Sequence, residues 1–191
     1  MLLGLYLGRS APQIEFKYNA FGKPGLADSS LPFQFNVSHS GEVILVAAAI
    51  DRVLGVDVEQ IKPDMANGEI AARFFSRREC STLMALPREM RAEAFFACWT
   101  RKEAYLKARG DGLSLPLDRF DVAFSPAENP RLLATRHDPA EASRYTLAAL
   151  DAGPGYAAAL AVEGSDWRLK CWEWPQTDRS QIDAWIRQAA P

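Results

Sequence analysis

The segment Gly55-Val56-Asp57-Val58-Glu59 alternates apolar and acidic side chains. Because successive side chains of a β-strand point to opposite faces, this pattern predicts a strand with Val56 and Val58 in the core and both acids on the other face. Two carboxylates about 7 Å apart on one face repel each other unless positive charge lies between them. A divalent cation is the simplest source of that charge.

A third acid lies within a long predicted helix. Between residues 88 and 109, apolar side chains recur at helical spacing, which predicts a single amphipathic helix. Glu103 falls inside the apolar stripe, where a carboxylate needs a partner or a metal. Lys107 follows at i+4 on the same side, and Lys102 lies about 100° around the helix, from where it can reach a neighbouring cofactor site. The stripe is formed by Ala92, Phe95, Phe96, Trp99 and Leu106.

These charged side chains together predict a site for a divalent cation and phosphate. Asp57, Glu59 and Glu103 offer only oxygen ligands, which suit Mg²⁺ better than Zn²⁺. The three cysteines are widely separated and form no CxxC pair, so neither a zinc site nor a disulfide framework is expected. Unpaired cysteines are typical of a reducing compartment and indicate a cytoplasmic protein.

Length and composition restrict the class of protein. The 191 residues suffice for one ordinary domain or for two small packed halves. A net charge of −2 at pH 7 does not favour a nucleic-acid-binding protein. The longest uninterrupted apolar run, residues 43–50, is far too short to span a membrane, and we interpret it as a fully buried strand.

The remaining pattern predicts a mixture of strands and helices. Strands are predicted at residues 14–18, 33–37, 43–50, 53–58, 120–124, 145–150, 156–162 and 167–174, and helices at 69–75, 77–86, 88–109 and 178–188. Ser76 and Glu79 have the spacing of a capping box, and Gly110 follows the long helix as a C-terminal signal. Since strands and helices do not alternate as in βαβ units, the predicted fold class is α+β.

Four segments resemble those of one known family in their order and approximate spacing. They are residues 21–24 (Phe-Gly-Lys-Pro), 35–41 (Phe-Asn-Val-Ser-His-Ser-Gly), 55–59 and 99–113 (Trp-Thr-Arg-Lys-Glu-Ala-Tyr-Leu-Lys-Ala-Arg-Gly-Asp-Gly-Leu). Each segment alone is a weak signal, but four in register are a strong one. The chain thus resembles the Sfp-type 4′-phosphopantetheinyl transferases over most of residues 14–124.

This resemblance implies an architecture. The fold would be a pseudo-dimer of two related α+β halves, with the coenzyme and Mg²⁺ bound between them. The halves would be residues 1–54 and 55–175, followed by a tail helix at residues 176–191. Family members have several dozen more residues before the point where this chain starts, so the first half is expected to be incomplete. The family also implies a monomer.

The resemblance further implies the activity of a holo-[acyl-carrier-protein] synthase. Such enzymes transfer the 4′-phosphopantetheine arm of coenzyme A to a serine hydroxyl of an apo acyl or peptidyl carrier protein and release adenosine 3′,5′-bisphosphate. Asp57, Glu59 and Glu103 would hold Mg²⁺ against the coenzyme A pyrophosphate. Glu103 would also deprotonate the serine, directly or through a water molecule.

Four other residues acquire binding roles from the resemblance. Lys107 would contact the pyrophosphate and stabilise charge on the leaving group. Lys23, Ser38 and His39 would bind the nucleotide end of coenzyme A, with Lys23 and His39 directed at phosphate.

Two alternative functions stay open on the sequence. One is a non-catalytic module that binds coenzyme A or a carrier protein, which the short first half favours. The other is an unrelated Mg²⁺-dependent phosphohydrolase that uses the same acids.

Overall fold

The computed structural model describes residues 2–28, 30–66 and 68–174 of the chain. Its five helices and nine strands are, in chain order, α1 (Leu2–Leu7), β1 (Phe16–Tyr18), β2 (Pro24–Leu26), β3 (Phe33–Ser40), β4 (Val43–Ile50), β5 (Leu54–Gln60), α2 (Gly68–Phe74), α3 (Arg77–Ala85), α4 (Arg88–Arg109), β6 (Phe120–Ala123), β7 (Arg131–Thr135), α5 (Glu141–Arg144), β8 (Tyr145–Leu150) and β9 (Tyr156–Glu163). All strand pairs are antiparallel, which confirms the α+β class. The predicted tail helix at 176–191 lies outside the described residues.

Helix α4 packs across the sheet β5-β9-β8 and forms the main core with it. Gly55 of β5 allows the close approach, because a Cβ atom at this position would overlap the backbone of Ala104 and Ala108 on α4. Small residues on both elements therefore bring the two backbones together. This approach determines which α4 side chains can reach the acids of β5.

Side chains, rather than a backbone ladder, join β3 to β5. Asn36 Oδ1 accepts a hydrogen bond from Val56 N at 2.9 Å. Two residues further along each strand, Ser38 Oγ accepts from Val58 N at 3.3 Å. Ser40 Oγ then accepts from Gln60 N at 3.0 Å. We call Asn36, Ser38 and Ser40 the polar ladder; their spacing of two matches the alternation of both strands.

Helix boundaries follow the local signals in the sequence. The Ser76 hydroxyl accepts from Glu79 N, and the Glu79 carboxylate accepts from Ser76 N, which confirms the predicted capping box at the start of α3. Helix α4 spans the predicted residues 88–109 and ends at Gly110, whose φ of 78° is left-handed. Within the described residues, no helix is both long and apolar enough to cross a membrane.

Two sequence-based expectations about strands were wrong. The run 43–50 is a strand but is not fully buried: Ile44 is 69% and Ile50 60% exposed, because only the alternate residues Leu45, Ala47 and Ala49 pack on the core. Residues 167–174 form no strand. Strand β7 was not predicted, since its pairing with β6, and not a strong local pattern, makes it a strand.

We expect Asn36→Ala to destabilise the fold. The substitution leaves Val56 N buried without an acceptor, which lowers the free energy of unfolding by about 1–3 kcal/mol. Gln34→Ala, on the same strand but exposed, is the matched control and should change it by less than about 0.5 kcal/mol. Urea unfolding measures both; equal effects would contradict a structural role of the polar ladder.

Candidate active site

Asp57 is a buried carboxylate at the point where β3, β5 and α4 meet. It is only 3% exposed. Its Oδ1 accepts hydrogen bonds from Lys107 Nζ at 2.7 Å and from Ser38 Oγ at 2.9 Å. Its Oδ2 is buried and has no hydrogen-bond partner. Burial raises the pKa of Asp57 above 3.8, although Lys107 and Ser38 both favour the charged form.

Glu59 and Glu103 complete the acidic group. Glu59 Oε2 accepts a hydrogen bond from Ser40 Oγ at 2.8 Å. The pKa of Glu103 is raised from 4.5 to about 7, mainly by burial. The negative charges of Asp57 and Glu59 also raise it, and the positive charge of Lys107 lowers it. The three acids therefore lie close enough to act on one another, with one lysine among them.

The charge balance and the donor atoms of this group fit a hard divalent cation. An unpartnered buried carboxylate oxygen on Asp57 and a carboxyl group with a raised pKa at Glu103 both mark negative charge that Lys107 does not fully compensate. All available ligand atoms are oxygens, as Mg²⁺ prefers. Among the described residues, however, no three His, Cys, Asp or Glu side chains are already arranged to hold a metal ion. The role of the acids as metal ligands stays a prediction.

Two clefts adjoin the acidic group. Glu103, Lys107 and Lys23 line a cleft of about 300 Å³, so this cleft carries two of the nearby positive charges. Glu59 lines another cleft of about 150 Å³. The walls of this second cleft are largely apolar and include Met65, Ile70, Phe95, Phe96 and Trp99. A ligand with a charged and an apolar part could thus lie across the acids.

Lys23 is held at the edge of the first cleft by backbone carbonyls. Its Nζ donates to Ala108 O at 2.9 Å and to Leu54 O at 3.1 Å. Burial lowers the pKa of Lys23 to about 8. A neutral amine has two hydrogens to donate, so both carbonyls keep their hydrogen bonds when the ammonium loses its proton.

Lys102 does not belong to this site, contrary to the role that the sequence suggested. It is fully buried on another side of α4 and forms an ion pair with Glu79 at 2.8 Å. Its Nζ also donates to Leu117 O and to Phe120 O. The 100° rotation between neighbouring helix residues directs Lys102 toward α3 and β6, where its charge is structural.

Alternation along β3 separates Ser38 from His39. Ser38 is buried beside Asp57, whereas His39 is exposed on the opposite face of the strand. The prediction that both residues face one ligand is not supported by this arrangement. Asn36 and Ser40 were not predicted as part of the site, although they share with Ser38 the spacing of two that places side chains on one face of a strand.

The known proteins that this chain resembles belong to one family. A family model described as the 4′-phosphopantetheinyl transferase superfamily matches residues 53–161. The 4′-phosphopantetheinyl transferase HetI of Nostoc sp. is 38% identical over 175 residues, covering 91% of this chain and 70% of the relative. The 4′-phosphopantetheinyl transferase Sfp of Bacillus subtilis is 36% identical over 155 residues, covering 80% of this chain and 65% of the relative. The chain therefore matches only part of the length of these relatives.

Among solved structures, this chain is similar to a holo-[acyl-carrier-protein] synthase (AcpS) of Thermotoga maritima. The sequence identity is 20% and the TM-score 0.45, with 59% of this chain and 63% of the other chain covered.

We expect Lys102→Met to act on stability. The substitution leaves the Glu79 carboxylate buried without a counter-ion, which lowers the free energy of unfolding by about 3–5 kcal/mol. Glu79→Gln in the same chain removes the unpaired charge and should recover part of the loss. The recovery is incomplete because both carboxylate oxygens of Glu79 accept backbone hydrogen bonds, from Ser76 N and Val122 N, and the amide nitrogen of glutamine cannot accept one. Urea unfolding of the single and double variants measures this; an unchanged stability of the single variant would contradict a buried ion pair.

We expect Lys23→Met to change how stability depends on pH. Because the pKa of Lys23 falls from 10.5 to about 8 on folding, the unfolded chain binds more protons than the folded chain between these values. The charged side chain therefore costs stability below about pH 8, and this cost disappears as pH rises toward about 10.5.

Urea unfolding series between about pH 7 and pH 10 test this sign. The stability of the wild-type protein relative to Lys23→Met should increase with pH. Lys17→Met, which alters an exposed lysine on β1, is the control and should follow the wild-type profile. A wild-type advantage that shrinks with pH would show that the sign is wrong.

Proposed function

This chain belongs to the 4′-phosphopantetheinyl transferase superfamily, and on that premise we propose its reaction. It transfers 4′-phosphopantetheine from coenzyme A to a serine hydroxyl of an apo acyl or peptidyl carrier protein. The transfer depends on Mg²⁺ and releases adenosine 3′,5′-bisphosphate. The observation that carries the proposal is the group of Asp57, Glu59 and Glu103 around Lys107, with a buried carboxylate oxygen still unpartnered.

The two clefts beside the acids support a substrate of mixed chemistry. Lys23 and Lys107 in the first cleft suit the phosphates of the nucleotide end. The largely apolar second cleft beside Glu59 suits the uncharged pantetheine arm and the approaching carrier protein. The reacting phosphorus would then lie at the acids, between the two parts.

Asp57, Glu59 and Glu103 would hold the metal. Mg²⁺, when bound, neutralises charge on the pyrophosphate and orients it. Asp57 Oδ2 has no hydrogen-bond partner, so it is the oxygen best able to coordinate the metal. Lys107 Nζ already donates hydrogen bonds to Asp57 and Ser38. A phosphate oxygen bound beside these residues can accept a hydrogen bond from the same ammonium group.

Glu103 is the group that would accept the serine proton. The serine oxygen forms a bond to the β-phosphorus of coenzyme A while the bond from that phosphorus to the bridging oxygen breaks. The proton passes to Glu103, directly or through a water molecule, and Lys107 stabilises the negative charge on the departing adenosine bisphosphate. Without a bound cation, burial and the neighbouring carboxylates raise the pKa of Glu103 to about 7, whereas a bound cation would lower it and keep the carboxylate ionised to accept the proton.

We also infer two related halves, residues 1–54 and 55–175, in a monomer. An antiparallel hairpin in each, β3–β4 and β8–β9, supports the division. A cytoplasmic location fits the free state of Cys80, Cys98 and Cys171.

We expect Glu103→Gln to reduce transfer of labelled phosphopantetheine from coenzyme A to an apo carrier protein by about 10²–10⁴-fold. The variant removes the proton acceptor and a charged metal ligand but keeps the side-chain shape. Glu89→Gln makes the same chemical change at an exposed position of α4 and should retain activity.

A second readout tests metal binding without turnover. Mg²⁺ with coenzyme A should raise the melting temperature of the wild-type protein, and Asp57→Asn should lose the part of this shift that depends on Mg²⁺. Full activity of Glu103→Gln would contradict its role. Binding of coenzyme A without transfer to any apo carrier protein would instead favour a non-catalytic binding module.

A further inference from the structure

Arg109, the last residue of α4, joins two carboxylates that lie far apart in the sequence. Its Nε donates to Asp111 Oδ2 at 2.7 Å, and its Nη2 lies 2.6 Å from the same oxygen. Its Nη1 donates to Glu141 Oε2. Each guanidinium nitrogen thus has a carboxylate partner, and one planar group holds two carboxylates at once. We call Arg109, Asp111 and Glu141 the Arg109 anchor.

Glu141 is the buried end of the anchor. It lies at the start of α5 and is only 7% exposed. Its Oε2 also accepts a hydrogen bond from Tyr105, a fully buried residue of α4, and lies 2.9 Å from His137 Nε2. Although burial raises the pKa of Glu141, hydrogen bonds from Tyr105, His137 and Arg109 lower it overall to below its usual 4.5. The anchor is therefore attached to a charged carboxylate that the core holds in place.

Asp111, at the other end of the anchor, lies between two glycines with left-handed backbone. The φ angle is 78° at Gly110 and 55° at Gly112. Because glycine adopts many backbone conformations at little cost, residues 110–112 need side-chain contacts to hold one of them. The ion pair with Arg109 supplies such a contact at the middle residue.

A second contact joins this segment to the turn between β1 and β2. Gly110 O accepts a hydrogen bond from Asn19 Nδ2 at 2.7 Å. Asn19 Oδ1 in turn accepts from the backbone amides of Phe21 and Lys23, each at 2.9 Å. One asparagine thus joins the end of α4 to the turn that carries Lys23.

Both glycines of the segment line the first cleft. Gly110 and Gly112 form part of its wall beside Lys23 and Lys107. This wall is closely packed, since a Cβ atom at Gly110 would lie 3.3 Å from Lys23 Cδ and one at Gly112 would lie 3.2 Å from Phe21 Cβ. A displacement of the segment would therefore change the shape of the cleft and move Lys23.

We propose that Arg109 is a positioning residue for coenzyme A. It fixes residues 110–112 to the buried Glu141, and this segment holds Lys23 where the phosphates of the nucleotide end bind. Arg109 does not contact the ligand, because carboxylates occupy its guanidinium nitrogens. The inference rests on the proposed function, since it takes the first cleft as the site of the nucleotide end.

Direct binding of a phosphate by Arg109 is the alternative, and Asp111→Ala separates the two roles. If Arg109 positions the segment, this variant should bind coenzyme A about tenfold more weakly, because the segment must be ordered on binding. This loss is expected even though the variant removes a negative charge near an anionic ligand. If Arg109 contacts phosphate, loss of a competing carboxylate should leave the affinity unchanged or increase it, and that result would overturn the proposal.

Arg109→Lys keeps the positive charge but not the shape of the side chain. An ammonium group is a single point of charge and cannot hold two carboxylates as the planar guanidinium does, so coenzyme A should again bind about tenfold more weakly. The double variant Arg109→Lys/Asp111→Ala should bind about as weakly as either single variant, because both changes break the same contact. Additive losses in the double variant would overturn the proposal.

Arg136→Lys is the matched control. Arg136 Nη2 donates to both carboxylate oxygens of Asp121, at 3.1 and 3.0 Å, and Asp121 is buried as Glu141 is. Neither Arg136 nor Asp121 is among the described residues that line the first cleft. The control should therefore lose stability but bind coenzyme A as the wild-type protein does. An equal loss of affinity in the control would reflect stability alone and would overturn the proposal.

Three measurements on the full chain test the steps separately. Amide exchange without ligand tests the anchor: the Gly110 amide, which donates to Leu106 O at 2.9 Å, should exchange about tenfold faster in Arg109→Lys but not in Arg136→Lys. Calorimetry with coenzyme A and Mg²⁺ measures affinity without turnover. Steady-state kinetics should show a KM for coenzyme A raised about tenfold, with kcat and the KM for the carrier protein unchanged, as for a loss of uniform binding.

Failure of this inference and failure of the proposed function give different results. Wild-type affinity in Arg109→Lys, unchanged exchange at Gly110, or a loss confined to kcat would each overturn the positioning role. A wild-type protein that binds coenzyme A but modifies no apo carrier protein would contradict the proposed function. In that case, a weaker affinity of Arg109→Lys for coenzyme A would still support the positioning role.

Discussion

The polar ladder of Asn36, Ser38 and Ser40 is the interaction on which both the fold and the candidate site depend. These side chains accept hydrogen bonds from three backbone amides of β5, so β3 and β5 lie side by side without a backbone ladder of their own. Two of the three also donate to the acids of the site, Ser38 to Asp57 and Ser40 to Glu59. A hydroxyl group can accept and donate at once, which is why short serines can join the strands and orient the carboxylates together.

The other half of the site depends on how closely α4 approaches β5. Gly55 leaves room for the helix backbone at Ala104 and Ala108, and Lys107 consequently reaches Asp57. The same approach buries Glu103 near two other carboxylates and raises its pKa. Concentrating negative charge in a buried place opposes stability, and such arrangements are typical of sites that bind a cation or transfer a proton.

Much of this protein could be predicted from the sequence, because the signals involved are local. Helix α4 and its end at Gly110 follow from a 3.6-residue apolar period and a glycine that adopts positive φ. The placement of Asp57 and Glu59 on one face follows from strand alternation. The family also follows from the sequence, because its motifs are short and occur in a fixed order. The alternation of side chains along a strand also places Asn36, Ser38 and Ser40 on one face of β3 and His39 on the other. Asn36 and Ser40 could therefore have been identified from the sequence.

Tertiary structure alone decided which charged residues act together. Lys102 and Lys107 lie on one helix and have the same chemistry, yet Lys102 forms a buried ion pair with Glu79 and Lys107 reaches Asp57. Helix periodicity gives the angle between them but does not reveal which element packs on each side. Strand β7 likewise depends on its pairing with β6, and the exposure of Ile44 depends on which face of β4 packs on the core. The sequence by itself thus determined local conformation and the faces of each element, while long-range packing determined the partner that each face meets.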